Sequence, residues 1–222
     1  MPSKTKAHQV YKLSDGTRVK GVTTIINTNL GWNKQALIMW ARKLAMAGQD
    51  PMKVRDQAAD IGTVAHYLIE CDLKHQTPEL NQYAQCDIDK AETCYLAYLE
   101  WKKAHDIEPL FIEYQLVSEK FGYGGTLDFV GNIDQKIAIM DYKTGTGVYD
   151  EAKIQAAAYQ QLWEENNPIY KIVGRVGYWL LHLGKEDGEF APYQWNDLSR
   201  YWAIFYHLLE IDKLKNGNGN GK

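Results

Sequence analysis

Residues 124–145 read GGTLDFVGNIDQKIAIMDYKTG. Two apolar runs flank a polar turn, and each run contains an aspartate, Asp128 and Asp141. Lys143 follows the second aspartate after one residue. Runs of β-branched and aromatic residues bounded by Gly and polar turn residues predict two β-strands joined at NIDQK. Strand side chains alternate, so Asp141 and Lys143 share one face and Tyr142 takes the other. Antiparallel pairing about Asp134 or Gln135 sets Asp128 opposite a residue near Asp141. Like charges across a sheet repel, and they persist where something positive lies between them. A divalent cation meets that need, with Lys143 as a further fixed charge. Two carboxylates and a backbone carbonyl form a hard-oxygen site suited to Mg²⁺ or Mn²⁺. The plainer alternative is a surface hairpin whose Asp and Lys side chains pair across solvent.

Two flanking segments bear on that choice. Downstream, YDEAKIQAAAYQQLWEENNP predicts a helix ended by Asn-Asn-Pro. It places Gln155 and Tyr159 four residues apart on one face, within reach of the strand end. Upstream, DIGTVAHYLIE places Gly62, His66 and Glu70 on one helical face. Histidine is a common metal ligand, and Glu70, one turn on, could orient its ring. Each feature also has an ordinary explanation: an amphipathic helix with a partly exposed Gln, a structural histidine, a surface glutamate.

The rest of the chain frames these segments. QVYKLSDGTRVKGVTTII predicts two short strands around an Asp15-Gly16 turn. NKQALIMWARKLAMAGQ is helical by its apolar spacing. Asp50-Pro51 opens a second helix, with proline at the first helical position. DIDKAETCYLAYLEWKKAHDI is a third, with Cys94, Leu96, Tyr98, Leu99 and Trp101 as its apolar stripe. PLFIEYQLVSEKFGYGG precedes the quoted pair as a further strand. After the Gln155 helix come strands at KIVGRVGYWLLHLG and EFAPYQWN, then a closing helix from DLSRYW with Asp197 as N-cap. The expected fold is α/β (α+β), a mixed central sheet flanked by helices. One domain is expected over 1–215, with a helical portion at about 30–106 and a β-β-β-α-β core at about 107–195. The tail, 216–222, is low in complexity and expected to be disordered.

Composition narrows the classes. The 222 residues are 45% hydrophobic and 24% charged, with a formal net charge of −3. No global basic field points to nucleic acid, so an anionic partner must be met by a local patch or by bound cations. The three cysteines, Cys71, Cys86 and Cys94, form no CxxC and read as reduced thiols. No apolar run approaches the roughly 18 residues of a membrane span. The N-terminus lacks the apolar segment of a signal peptide. A cytoplasmic setting is expected.

Taken together, GTVAHYLIE, GGTLDFV, IMDYKTG and QAAAY resemble the PD-(D/E)XK nuclease superfamily, and within it the RecB-like exonuclease group. The opening VYKLSDGTRVKGVTTII is similar to the start of phage-type members. The resemblance spans most of residues 8–195. It implies the restriction-endonuclease-like core and metal-dependent hydrolysis of DNA, leaving a 5′-phosphate and a 3′-hydroxyl. By the resemblance, His66, Asp128, Asp141 and the Tyr142 carbonyl surround the metal. Lys143 is the catalytic lysine, and Gln155 and Tyr159 form the Q-x-x-x-Y signature. Glu113, on the strand beside Asp128, is a further candidate near the metal. Two departures stand out. Thr126 and Leu127 precede Asp128 where the family has proline, and no cysteine follows the Gln155 helix, so no iron–sulfur cluster is expected.

The substrate path is sought in the N-terminal helices. Trp32, Trp40, Arg42, Lys43, Lys53 and Arg55 mix aromatic and basic groups, a combination that suits single-stranded nucleic acid. Of these, Trp32, Arg42 and Lys43 are the favoured contacts, while Trp40, with its apolar neighbours, is read as core. The expected activity is a DNA exonuclease acting on single strands or ends in recombination, repair or replication. The expected partners are DNA and a helicase or annealing protein. An endonuclease of the same fold and a non-catalytic nucleic-acid-binding module are the competing readings.

Overall fold

The structure is a computed structural model that describes residues 9–168, 177–186, 188–195 and 197–217. Its elements run β1 (Tyr11–Lys12), β2 (Arg18–Val19), α1 (Val22–Asn29), α2 (Lys34–Met46), α3 (Pro51–Leu73) and α4 (Gln85–Lys102). Then follow β3 (Ile107–Ser118), β4 (Tyr123–Ile133), β5 (Lys136–Lys143), α5 (Asp150–Asn166), β6 (Gly177–Leu183), β7 (Phe190–Trp195) and α6 (Ser199–Gly217). Part of the strand expected from Lys171, residues 171–176, lies outside the described residues, as do residues 218–222 of the expected tail.

β3 to β7 form one five-stranded sheet in sequence order. Only β5 and β6 pair parallel; the other neighbours are antiparallel. The sheet is therefore mixed, and α5 is the crossover that a parallel pair requires. The β4–β5 turn is tighter than NIDQK: Ile133 pairs with Lys136. Asp134 and Gln135 alone make the bend, with φ of 51° and 65°. That left-handed pair matches the twist of a two-residue hairpin.

Helices cover both faces. On one, α1, α5 and α6 bury Ile25, Ile154, Leu162 and Phe205 against Leu127, Val130 and Ile139. On the other, α3 and α4 bury Val64, Ile69, Cys94 and Tyr98 against Phe129, Met140 and Leu181. Asp50 caps α3 by accepting from the Met52 N–H at 2.9 Å, with Pro51 at the first turn. Asp197 holds the start of α6 by accepting from the Ser199 N–H at 2.9 Å.

Three sequence expectations are corrected. GVTTII is not strand: Val22, Ile25 and Ile26 are buried on one side of α1. Helical spacing outweighs the β-branched run because it lets all three face one core. Leu96 leaves the α4 stripe at 64% exposed; Ile88, Ala91, Cys94, Tyr98 and Trp101 form it. Trp40 is not core, at 40% exposed. Among the described residues no helix is long and apolar enough to cross a membrane.

Five buried tyrosines tie stability to alkaline pH. Burial pushes the hydroxyls of Tyr98, Tyr123, Tyr142, Tyr159 and Tyr178 well above the ordinary value of 10.0. A raised folded-state pKa gives stability that is complete below the unfolded value. It falls away between the unfolded and the folded value, because only the unfolded chain releases those protons there. The thermal midpoint should therefore fall as pH rises past 10.0. Calorimetry alongside tyrosinate absorbance checks this: the absorbance of the buried groups should appear only with unfolding.

Candidate metal and catalytic site

β3 shifts register once between Pro109 and Phe111, and further along β3 and β4 both change face; the site lies at the second place. Ile112 pairs with Phe129, and both face the α3–α4 core. Two residues on, Tyr114 pairs with Leu127, and both face the α5 core instead. The intervening positions, Glu113 and Asp128, therefore stand opposite each other where both strands change face. Glu113 makes the change with φ of 55°, a left-handed conformation that costs a non-glycine residue about 1–3 kcal/mol. On the other side of β4, ladder pairing with β5 ends at Phe129 and Met140. Beyond it, the Asp128 carboxylate accepts from the Tyr142 N–H at 3.2 Å.

α3 brings His66 to the same point. His66 Nε2 lies 3.1 Å from the Tyr142 carbonyl oxygen. A carbonyl only accepts, so Nε2 must carry the proton. In the neutral ring Nδ1 then presents its lone pair, and Nδ1 lies 3.4 Å from Asp128 Oδ2. Two acceptors at that distance call for a proton or a metal cation between them. Ligand atoms of His66, Glu113 and Asp128 all lie within 4.8 Å of one another. One imidazole and two carboxylates, the second held by a backbone N–H, fit a divalent cation. A cleft of about 500 Å³ opens onto this group, lined also by Tyr11, Arg18 and Tyr159.

Asp141 and Lys143 form an adjoining group on the α5 side. Asp141 is 3% exposed, and its Oδ2 lies 2.7 Å from Lys143 Nζ. The contact is electrostatic; Oδ2 has no aligned hydrogen-bond donor among the described residues. The cation this buried carboxylate faces is the Lys143 ammonium, and a carboxylate has further lone pairs besides. Lys143 Nζ donates to Gln155 Oε1 at 2.8 Å, and Gln155 Nε2 donates to the Tyr159 hydroxyl at 2.9 Å. Burial, then the Asp141 charge, keep the Tyr159 hydroxyl protonated well into the alkaline range. The structure thus joins Asp141, Lys143, Gln155 and Tyr159 in one chain and His66, Glu113 and Asp128 in one cluster. Asp141 lies outside that close cluster among the described residues. Tyr142 links the two groups through its N–H and carbonyl.

Glu70 accepts from Lys74 Nζ at 2.7 Å, one turn along α3. Trp32, Arg42 and Lys43 are exposed at or near α2. Several contributors had no separable sequence signal. Tyr11 bonds Thr126 at 2.9 Å and lays its ring on Gly124, where a Cβ would come within 2.3 Å of it. The ring of Tyr159 lies against Gly125, at 2.6 Å from a would-be Cβ. The Gly124-Gly125 pair is therefore the clue that two bulky groups converge on successive residues. His182, 3% exposed, contacts the Gly145 carbonyl at 2.7 Å and anchors the loop after Lys143.

Residues 40–219 match the family model of the PD-(D/E)XK nuclease superfamily. No curated protein matches the chain. Two solved structures are similar. A candidate exonuclease from Eubacterium rectale is 14% identical, with a TM-score of 0.46, over 72% of this chain and 68% of its own. SSO0001 is 14% identical, with a TM-score of 0.33, over 72% of this chain and 75% of its own.

Proposed function

The chain belongs to the PD-(D/E)XK nuclease superfamily, and from that membership and the site we propose a divalent-metal-dependent DNA nuclease that works from strand ends. The observation behind this is the meeting of the His66–Glu113–Asp128 cluster with the Asp141–Lys143 pair across Tyr142. The helical portion supplies His66 and the sheet core supplies the acids, so both act as one nuclease unit.

His66, Glu113 and Asp128 would hold the cation, with Asp141 and the Tyr142 carbonyl facing it from β5. A bound Mg²⁺ or Mn²⁺ neutralises phosphate oxygens, acidifies a water and stabilises the leaving alkoxide. The protein's own part is positioning and charge. Lys143 places an ammonium beside the attacked phosphate, where it orients the water and offsets charge gained in the transition state. Gln155 fixes that ammonium from the helix side, and Tyr159 fixes Gln155. Burial keeps the Tyr159 hydroxyl protonated across the working pH range. The end-directed part of the reading rests on the resemblance of Gln155 and Tyr159 to the Q-x-x-x-Y signature of the RecB-like group; in the structure the two side chains are hydrogen-bonded to each other and, through Gln155, to Lys143.

The test uses end-labelled DNA with Mn²⁺ or Mg²⁺, linear and circular, single- and double-stranded. Linear strands should be degraded while circles survive, and the label lost first gives the polarity. Cut circles would replace the exonuclease reading with an endonuclease. Intact DNA and RNA under both metals would leave a binding module.

A further inference from the structure

α2 has no buried residue. Along it and just before it, Trp32, Leu37, Ile38, Met39, Trp40 and Met46 are 40–78% exposed. An apolar surface of this kind on a folded chain marks an interaction site. Its charge identifies the partner. α2 contains Lys34, Arg42 and Lys43 and no acidic residue, in a chain whose formal net charge is −3. Two copies meeting through α2 would bring like cations together, so a second copy is a poor occupant. A polyanion with flat apolar groups satisfies both the cations and the aromatic rings.

The position of α2 narrows the choice further. The Asn33 side chain, at its N-cap, donates to Glu151 Oε1 at 2.7 Å. Glu151 lies one helical turn before Gln155, about 6 Å along α5. From that anchor α2 extends for 13 residues, about 20 Å. The carboxylates at the site, Glu113, Asp128 and Asp141, repel phosphate, so DNA leading away from the cut needs a cationic surface elsewhere.

We propose that α2, with Trp32 ahead of it, is the platform that holds single-stranded DNA leading to the site. Bases stack on Trp32 and Trp40 and phosphates meet Arg42 and Lys43. The identity of the strand rests on the nuclease reading above. Duplex DNA hides its base faces and gains only the phosphate contacts, so α2 sets a preference for single strands.

The test is fluorescence anisotropy with a short labelled oligothymidylate and a matched duplex, in EDTA so that nothing is cut. The variants are Trp32→Ala, Trp40→Ala and the double Arg42→Ala/Lys43→Ala. Each tryptophan variant should bind the single strand about fivefold or more weakly. The double variant should reduce the slope of log affinity against log salt by about 1.4. Duplex binding should respond to the double variant but not to the tryptophan variants. Thermal midpoints should stay at the parent value, since none of these side chains is buried. Parent-like single-strand binding in all three variants overturns the proposal. So does concentration-dependent dimerisation, or binding to phosphatidylserine vesicles, that depends on α2 while oligothymidylate binding does not. Cleavage by the parent with unchanged binding in the variants would sink this inference alone. α2-dependent binding by a parent that cuts nothing would sink the nuclease reading alone.

Discussion

Lys143→Ala is expected to lower metal-dependent DNA hydrolysis by about 10²–10³-fold, the usual loss when one fixed charge or donor is removed from a transition state. The expected loss follows from how few groups surround the lysine. Its ammonium is held by Asp141 on one side and Gln155 on the other. Lys136, the other cation of β5, sits at the opposite end of the strand and cannot replace it. The substitution also leaves the Asp141 carboxylate buried without its cation, which should cost about 1–3 kcal/mol. For a chain of this size that is a fall of roughly 2–4 °C in thermal midpoint per kcal/mol. Rates must therefore be compared well below the variant's midpoint. Lys143→Arg provides the second arm: it restores the charge near Asp141 but not the compact ammonium. It should recover stability and little of the rate. Undiminished hydrolysis in Lys143→Ala would remove the lysine from the chemistry.

The second large effect concerns the cation itself. Mn²⁺ at about 100 times its dissociation constant should stabilise the parent by about 2.7 kcal/mol. That corresponds to a rise of roughly 5–10 °C in the thermal midpoint. Asp128→Asn should abolish most of this rise. Asparagine keeps the shape and can still accept from the Tyr142 N–H, so the fold should survive without metal. What it removes is the charge facing His66 Nδ1 at 3.4 Å. Glu113→Gln should reduce the rise as well, and it tests a ligand that the sequence offered only as one candidate. A full metal-induced shift in Asp128→Asn would place the cation elsewhere.

Both predictions rest on residues that are legible in the sequence, but their arrangement is not. The hairpin of β4 and β5, the crossover helix with Gln155 and Tyr159, and the α3 helix with His66 all follow from local patterns. Alternation, helical spacing and turn residues act over a few positions, and a single sequence displays them directly. The misjudged segments are ones where local preference competes with burial. Val22, Ile25 and Ile26 look like strand and become helix because one side of that helix meets a core.

The sequence by itself determined the mixed α/β class, the order of the core elements, and Asp128, Asp141 and Lys143 as a set needing compensation. Only the tertiary structure decided how that set divides. Glu113 at a positive φ and Asp128 opposite it turn away from the regular sheet, and α3 delivers His66 to them rather than to Asp141. Tyr11 and His182 join the site through contacts across 115 and 37 positions of chain. The physical reason is that faces and turns depend on near neighbours, whereas a ligand cluster depends on where strands stop pairing. That end point is set by packing between elements distant in sequence, which no local pattern records.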